Sequence, residues 1–123
     1  MRRLRIGLVG FGFMGKTHLH SVRELPFFYD AEAAGFTAEV VAVCASTEDR
    51  ARAAAEAFGI PRAYPDAAAL IADPDIDVID ICTPNPLHFE VARDAILAGK
   101  HVLCEKPLTV TVAEAETLCA LAA

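Results

Sequence analysis

The sequence lacks any apolar run that approaches the roughly 20 residues needed to span a bilayer. It also lacks a basic excess: the net charge is -6, which argues against nucleic acid or an anionic membrane surface as the main partner. The start, Met1 to Arg5, is basic and precedes an apolar stretch, but glycines interrupt that stretch and no small-residue cleavage site follows cleanly. We therefore expect a cytoplasmic protein.

The four cysteines form no Cys-x-x-Cys pair, and three of them lie in strongly apolar stretches: Cys44, Cys82, Cys104 and Cys119 are the complete set. Buried free thiols are the simplest interpretation. A zinc site needs clustered ligands, which the sequence does not offer, so no metal is expected. Because 54% of the 123 residues are hydrophobic and only 23% are charged, the chain is typical of one folded domain rather than of a disordered segment.

Short apolar runs alternate with longer, alanine-rich periodic segments. Four runs are predicted to be strands: residues 4–9, 39–44, 77–82 and His101–Cys104. Five segments are predicted to be helices. The first two are residues 14–25, which Pro26 ends, and Glu48–Phe58, which Thr47 caps. The others are a short helix that Asp66 caps and that runs through Ala72, residues 87–98, which Gly99 follows, and a last helix that begins with the capping box of Thr111 and Glu114. Residues 27–38 are less regular and extend the first crossover.

Strands and helices that alternate in this way indicate an α/β fold with right-handed crossovers, that is, a doubly wound parallel sheet of the Rossmann type. Near-continuous runs of β-branched residues suit such a sheet, because helices cover both of its faces.

A strand and a helix flank a segment that matches Gly-x-Gly-x-x-Gly, which comprises Gly10, Phe11, Gly12, Phe13, Met14 and Gly15. In this context Gly10 allows a tight turn, Gly12 lets a pyrophosphate approach the backbone, and Gly15 lets the helix pack close to the strand. Free amides at the helix start then face the phosphates. We therefore expect residues 4–15 to bind a nicotinamide dinucleotide, although a tight turn without a ligand has the same pattern.

The second strand ends without the carboxylate that usually bonds the adenosine ribose. Its tip comes about ten residues later than the usual spacing of roughly 20, which the 27–38 extension explains. Ser46, Thr47 and Arg50 follow, and they could accept a 2′-phosphate, which favours NADP slightly over NAD. Ser46 and Thr47 could equally be simple helix caps.

Two later strands end in unusual residues, Thr83-Pro84-Asn85-Pro86-Leu87-His88 and Glu105-Lys106-Pro107. Together with the glycine pattern, the motifs Thr-Pro-Asn-x-x-His and Ala-Gly-Lys-His-Val-x-x-Glu-Lys-Pro resemble the glucose–fructose oxidoreductase / inositol dehydrogenase / MocA (Gfo/Idh/MocA) family over nearly the whole chain. Members are mostly NAD(P)-dependent oxidoreductases of sugars, cyclitols and related polyols, which implies a dinucleotide cofactor, a sugar or polyol substrate and a homo-oligomer.

The resemblance implies three groups of cofactor contacts: Gly10, Phe11, Gly12, Phe13 and Met14 at the pyrophosphate, Ser46 and Arg50 near the adenosine ribose, and Thr83, Pro84, Asn85, His88 and Glu105 towards the nicotinamide. It makes Lys106 the catalytic residue at the reacting hydroxyl, with a cis bond to Pro107. From the sequence pattern alone, His18 and His20 are interpreted as surface or packing residues and His101 as structural.

Family members continue for roughly two hundred further residues, which include the substrate domain. The resemblance therefore implies that residues 1–123 are an incomplete Rossmann domain, inactive alone and prone to associate through an exposed sheet edge or to be marginally stable. Two other functions remain open: a non-catalytic dinucleotide-binding module, which would need neither Glu105 nor Lys106, and a relative that cleaves glycosides or dehydrates its substrate through transient hydride transfer.

Overall fold

Five strands form one parallel sheet in the computed structural model, which describes all 123 residues. In chain order they are β1 (Arg2–Val9), β2 (Phe36–Cys44), β3 (Arg62–Ala63), β4 (Val78–Ile81) and β5 (His101–Cys104). Across the sheet the order is β3-β2-β1-β4-β5, with every pair parallel. The chain adds β2 and β3 on one side of β1 and β4 and β5 on the other, and doubly wound sheets bind ligands at this switch point. The predicted fold class is confirmed.

Six helices connect the strands: α1 (Phe13–Phe28), α2 (Ala31–Ala34), α3 (Glu48–Phe58), α4 (Ala67–Ile71), α5 (His88–Leu97) and α6 (Val112–Ala122). Local chemistry starts several of them. Thr47 and Asp66 accept hydrogen bonds from backbone amides of α3 and α4, and Thr111 and Glu114 form the predicted capping box of α6. All six helices are too short or too polar to cross a membrane.

The core has two parts, one on each face of the sheet. On one face Leu8 and Val43 pack with Leu19 of α1 and Ala54 of α3. On the other face the apolar side chains of β4 and neighbouring strands pack against α4, α5 and α6, and the buried members are Val9, Val41, Ala42, Cys44, Leu70, Ile71, Ile76, Ile79, Ile81, Ala92, Ala95 and Leu118. Helices therefore cover both faces, and the loops at the carboxyl ends of the strands are left to form a site.

Three element predictions were wrong in detail. Helix α1 continues through Pro26 to Phe28, because a proline in the last turn costs only one intrahelical hydrogen bond. Strand β3 was not predicted, since it has only two residues and lies between two prolines, Pro61 and Pro65. The irregular extension contains the short helix α2 and the first part of β2.

Candidate functional site

A groove of about 1000 Å³ runs along the carboxyl ends of β1, β2 and β4. Nine of the residues predicted to bind the cofactor line it: Gly10, Phe11, Gly12, Phe13, Met14, Ser46, Arg50, Thr83 and Pro84. Five predicted site residues do not: Gly15, Asn85, His88, Glu105 and Lys106. The three motifs thus lie at one end of the sheet, but only the first two contribute residues to the groove lining.

The glycine-rich turn has the geometry of a phosphate-binding turn. Gly10 has a φ of 94°, and a Cβ on it would lie 2.8 Å from the backbone of Cys82. A Cβ on Gly15 would lie 2.3 Å from the carbonyl oxygen of Gly10, so only glycine lets α1 start this close to β1. A Cβ on Gly12 would meet nothing within 4 Å, because Gly12 faces the open groove. This open space at a helix start fits a pyrophosphate.

Arg50 and Ser46 lie together at the groove side of α3. The Arg50 guanidinium donates a hydrogen bond to Ser46 Oγ at 3.2 Å. The backbone amide of Arg50 donates to Thr47 Oγ1, also at 3.2 Å, so Thr47 caps the helix. The capping role therefore belongs to Thr47, and the side chains of Ser46 and Arg50 remain exposed beside the groove.

The turn after β4 contains two buried polar atoms without a hydrogen-bond partner, Thr83 Oγ1 and Asn85 Oδ1. An unsatisfied buried polar group costs roughly 1–3 kcal/mol, so such atoms are rare unless a ligand satisfies them. Both belong to the Thr-Pro-Asn motif, and Thr83 lines the groove. The residues present therefore fit a polar ligand, as a nicotinamide dinucleotide would be.

His88 does not point along the groove as the resemblance implied. Its side chain is buried, and its ring nitrogens lie 2.8 Å from the carbonyl oxygens of Thr83 and Pro107. The reason is that α5 begins at His88 itself, so its side chain turns inward beneath the two loops. His88 therefore ties the Thr83 turn to the Lys106–Pro107 loop, and its contact with the cofactor stays a prediction.

Glu105 and Lys106 follow β5 directly. The predicted cis bond between Lys106 and Pro107 is present. Lys106 is exposed and lies outside the groove lining, and its contact with a substrate stays a prediction. The Glu105 carboxylate instead turns towards α1, where it contacts His18.

His18 is the main residue beside the groove whose contacts sequence reasoning missed. Its Nδ1 lies 2.8 Å from Asp80 Oδ2, and its Nε2 lies 2.8 Å from Glu105 Oε1. Asp80 is 1% exposed, so a carboxylate in the middle of a buried strand needed a partner. That isolated acid within the apolar run of β4 was the signal that could have revealed the contact, although not the identity of the partner.

The electrostatics of this cluster follow from burial and from charge pairing. Burial lowers the pKa of His18, but hydrogen bonds and charges from Asp80 and Glu105 outweigh it, so the pKa is raised. Burial raises the pKa of Asp80, whereas the hydrogen bond from His18 lowers the pKa of Glu105. The two acids therefore stabilise the charged form of His18 relative to that of a free imidazole.

The thiols near the site are protonated. Burial raises the pKa of Cys44 and of Cys104 to about 11, and it raises that of Cys82 as well. His18, Asp80 and Cys82 offer three possible metal-ligand atoms within 4.8 Å of one another. We assign no metal to them, because Asp80 and Glu105 already occupy both ring nitrogens of His18.

Other groove residues also carried no sequence signal. Lys16 of α1 and Phe58 at the end of α3 line the groove, and the Phe58 ring packs edge-on against Phe11 at 5.2 Å. Phe58 was expected only to end a helix. Its place at the groove depends on how α3 packs against the glycine-rich turn.

Known proteins share both this sequence and this fold. Levoglucosan dehydrogenase of Pseudarthrobacter phenanthrenivorans is 42% identical over 118 residues, which cover 96% of this chain and 30% of that protein. Myo-inositol 2-dehydrogenase of Thermotoga maritima is 31% identical, over 94% of this chain and 31% of the relative. The chain thus spans about 30% of the length of these relatives.

Among solved structures, a levoglucosan dehydrogenase in complex with NADH and L-sorbose superposes with a TM-score of 0.92 at 38% identity. That match covers 99% of this chain and 32% of the other. The model of the Gfo/Idh/MocA group, described as "Oxidoreductase family, NAD-binding Rossmann fold", matches residues 4–123. This chain therefore belongs to the Gfo/Idh/MocA oxidoreductase family and comprises its NAD-binding Rossmann fold.

Proposed function

We propose that this chain is the cofactor-binding part of an NAD(P)-dependent oxidoreductase that transfers a hydride between a sugar, cyclitol or polyol hydroxyl and a nicotinamide. The observation that carries the proposal is the open face of Gly12 in a groove that Thr83 and Pro84 of the Thr-Pro-Asn turn also line. The substrate class rests on the names of relatives, which include levoglucosan, D-apiose and inositol dehydrogenases.

The nicotinamide, when bound, supplies the hydride acceptor, and the protein supplies position and proton control. The backbone of residues 10–15 would hold the pyrophosphate at the start of α1. Thr83, which lines the groove, would offer its Oγ1, which lacks a hydrogen-bond partner. Lys106, exposed at the end of β5, would stabilise negative charge on the substrate oxygen as it loses its proton.

For the adenosine end, we propose that Ser46 and Arg50 accept a 2′-phosphate, so that NADP binds at least as well as NAD. Arg50 already donates to Ser46 Oγ, and the tip of β2 carries no carboxylate to repel a phosphate. Related structures include an NADH complex and a biliverdin reductase from Synechocystis sp. PCC 6803 with NADP+, the latter 34% identical.

A homo-oligomer and a cytoplasmic location are also part of the proposal. The edge strand β5 supports association, since Leu103 on it is largely exposed. Four thiols that form no disulfide are typical of a reducing compartment.

Calorimetric titration of the chain with NADH and with NADPH tests the cofactor proposal. We expect saturable binding of at least one dinucleotide, and a lower Kd for NADPH if Ser46 and Arg50 act as proposed. Circular dichroism of the same sample confirms the fold. A folded chain that binds neither dinucleotide would contradict the proposed function.

A further inference from the structure

One imidazole, that of His18, joins three elements beside the groove, next to Cys82 in its lining. His18 lies on α1, Asp80 on β4, and Glu105 at the end of β5. The His18 side chain is 18% exposed, that of Asp80 1%, and that of Glu105 23%. The ring therefore has the buried acid Asp80 on one side and the partly accessible acid Glu105 on the other.

Both ring nitrogens face carboxylate oxygens at 2.8 Å. A carboxylate only accepts hydrogen bonds, whereas a neutral imidazole has a single N–H to donate. Two N–H groups, and thus an imidazolium, satisfy both acids and leave the cluster with one negative charge rather than two. Charge-assisted hydrogen bonds of this kind are short and directional, so they fix the orientation of each carboxylate.

The cluster adjoins the groove through Cys82. The Cys82 sulfur lies 3.3 Å from His18 Nδ1, and Cys82 itself lines the groove. Glu105 precedes Lys106, so without His18 its carboxylate would be free to rotate into solvent or towards the Lys106 ammonium. His18 removes that freedom before any ligand binds.

We propose that His18 is a positioning residue, which holds the Glu105 carboxylate against α1 and thereby sets its place at the nicotinamide end of the site. The inference rests on the proposed dinucleotide binding and deepens it. Asp80 orients the imidazole of His18, and His18 in turn positions the Glu105 carboxylate.

Two variants separate the contacts of His18. The amide nitrogen of a glutamine reaches roughly as far as Nε2, so His18→Gln can still donate to Glu105. The amide nitrogen of an asparagine reaches only as far as Nδ1, so His18→Asn can donate to Asp80 but not to Glu105. His20→Gln is the matched control, because His20 is exposed on the same helix.

We expect His18→Asn to raise the Kd for NADH about tenfold, as loss of a charge-assisted hydrogen bond would. His18→Gln should restore most of the affinity, and His20→Gln should not change it. Glu105→Gln should reproduce the loss, and combining it with His18→Asn should add nothing further. This second route keeps the inference testable if His18→Asn does not fold.

The protonation state provides a readout that does not depend on the cofactor. Nitrogen NMR of the His18 ring at neutral pH should show two protonated nitrogens. In Glu105→Gln, the His18 ring should lose its second proton at a lower pH than in the wild type. A wild-type ring with no proton on Nε2 would overturn the inference, because it could not donate to Glu105. Equal losses of affinity in the Asn and Gln variants, in proportion to their lower Tm, would overturn it too.

The two proposals fail in different ways. A folded wild-type chain that binds neither NADH nor NADPH would overturn the proposed function and this inference together. Wild-type binding with full affinity in His18→Asn would overturn the inference alone.

Discussion

At the residue scale, neighbouring glycines in one turn meet opposite surroundings. Gly10 has a positive φ and no room for a Cβ, whereas Gly12 faces open space. The fold therefore requires glycine at position 10. At position 12 glycine is required only so that a ligand in the groove can approach the backbone. Substitution by alanine can separate the two requirements.

We expect Gly12→Ala to keep the free energy of unfolding within about 0.5 kcal/mol, apart from the usual small effect at a helix start, and to lose dinucleotide binding. Gly10→Ala should lower the free energy of unfolding by at least about 2 kcal/mol, because the new Cβ causes both strain at a positive φ and a collision with the backbone. Urea unfolding and calorimetry of both variants measure these effects. Retained NADH and NADPH affinity in Gly12→Ala would contradict the placement of the pyrophosphate.

Arg50 supports a second prediction at this scale. Arg50→Gln should weaken NADPH binding about tenfold while the Kd for NADH changes less than about twofold, since only NADPH carries a 2′-phosphate. Arg52→Gln is the matched control, because Arg52 pairs with Glu48 on the same helix and lies outside the groove lining. Equal effects of Arg50→Gln on both dinucleotides would remove the argument for NADP.

At the element scale, an ion pair joins β1 to the residue before β4. Asp77 accepts hydrogen bonds from the Arg5 backbone amide at 2.9 Å and from its guanidinium at 3.1 and 3.2 Å. These bonds register β1 against β4, which is the pair that borders the switch point of the sheet. The side-chain hydrogen bond from Arg5 is the main reason that the pKa of Asp77 lies below its ordinary value.

A pH dependence follows from the sign of that shift. An acid whose pKa is lowered by folding stabilises the native state above its unfolded pKa, about 3.9, and this contribution is lost as the pH falls through the folded pKa. Asp77→Asn should therefore be less stable than the wild type at pH 7, and the gap should close below about pH 4. Thermal unfolding at several pH values measures the gap. A gap that is constant with pH would contradict the charge pairing.

At the scale of the whole molecule, the sheet has β3 and β5 at its edges. Strand β3 is only two residues long, but β5 has four and exposes 54% of Leu103. An exposed edge with an apolar side chain is a template for pairing with another chain. This edge is where we expect residues 1–123 to pair with a second copy of the chain.

We expect the chain to self-associate with rising concentration, and Leu103→Lys to weaken association at least about tenfold, since a lysine on an edge strand disfavours pairing. Leu97→Lys on α5 is the control, because it removes an even more exposed leucine, 66% against 54%, away from the strand. Sedimentation velocity over a range of concentrations measures the association. A monomer at all concentrations would contradict the oligomer proposal.

The sequence by itself determined the features whose causes are local or repeated along the chain. The glycine-rich turn, the caps Thr47 and Asp66, and the capping box of Thr111 are readable because their partners lie within a few residues. The β-branched runs indicated a parallel sheet, and the ordered motifs indicated the family before any contact was known.

Only the tertiary structure decided which polar side chains meet. His18 lies 62 residues from Asp80 and 87 from Glu105, so no local pattern could pair them. The side chain of His88 turns inward to two backbone carbonyls, although the motif placed it at the cofactor. Both outcomes have one physical reason: a charged or polar group buried by packing must find a partner, and the sheet order chooses which one lies within reach.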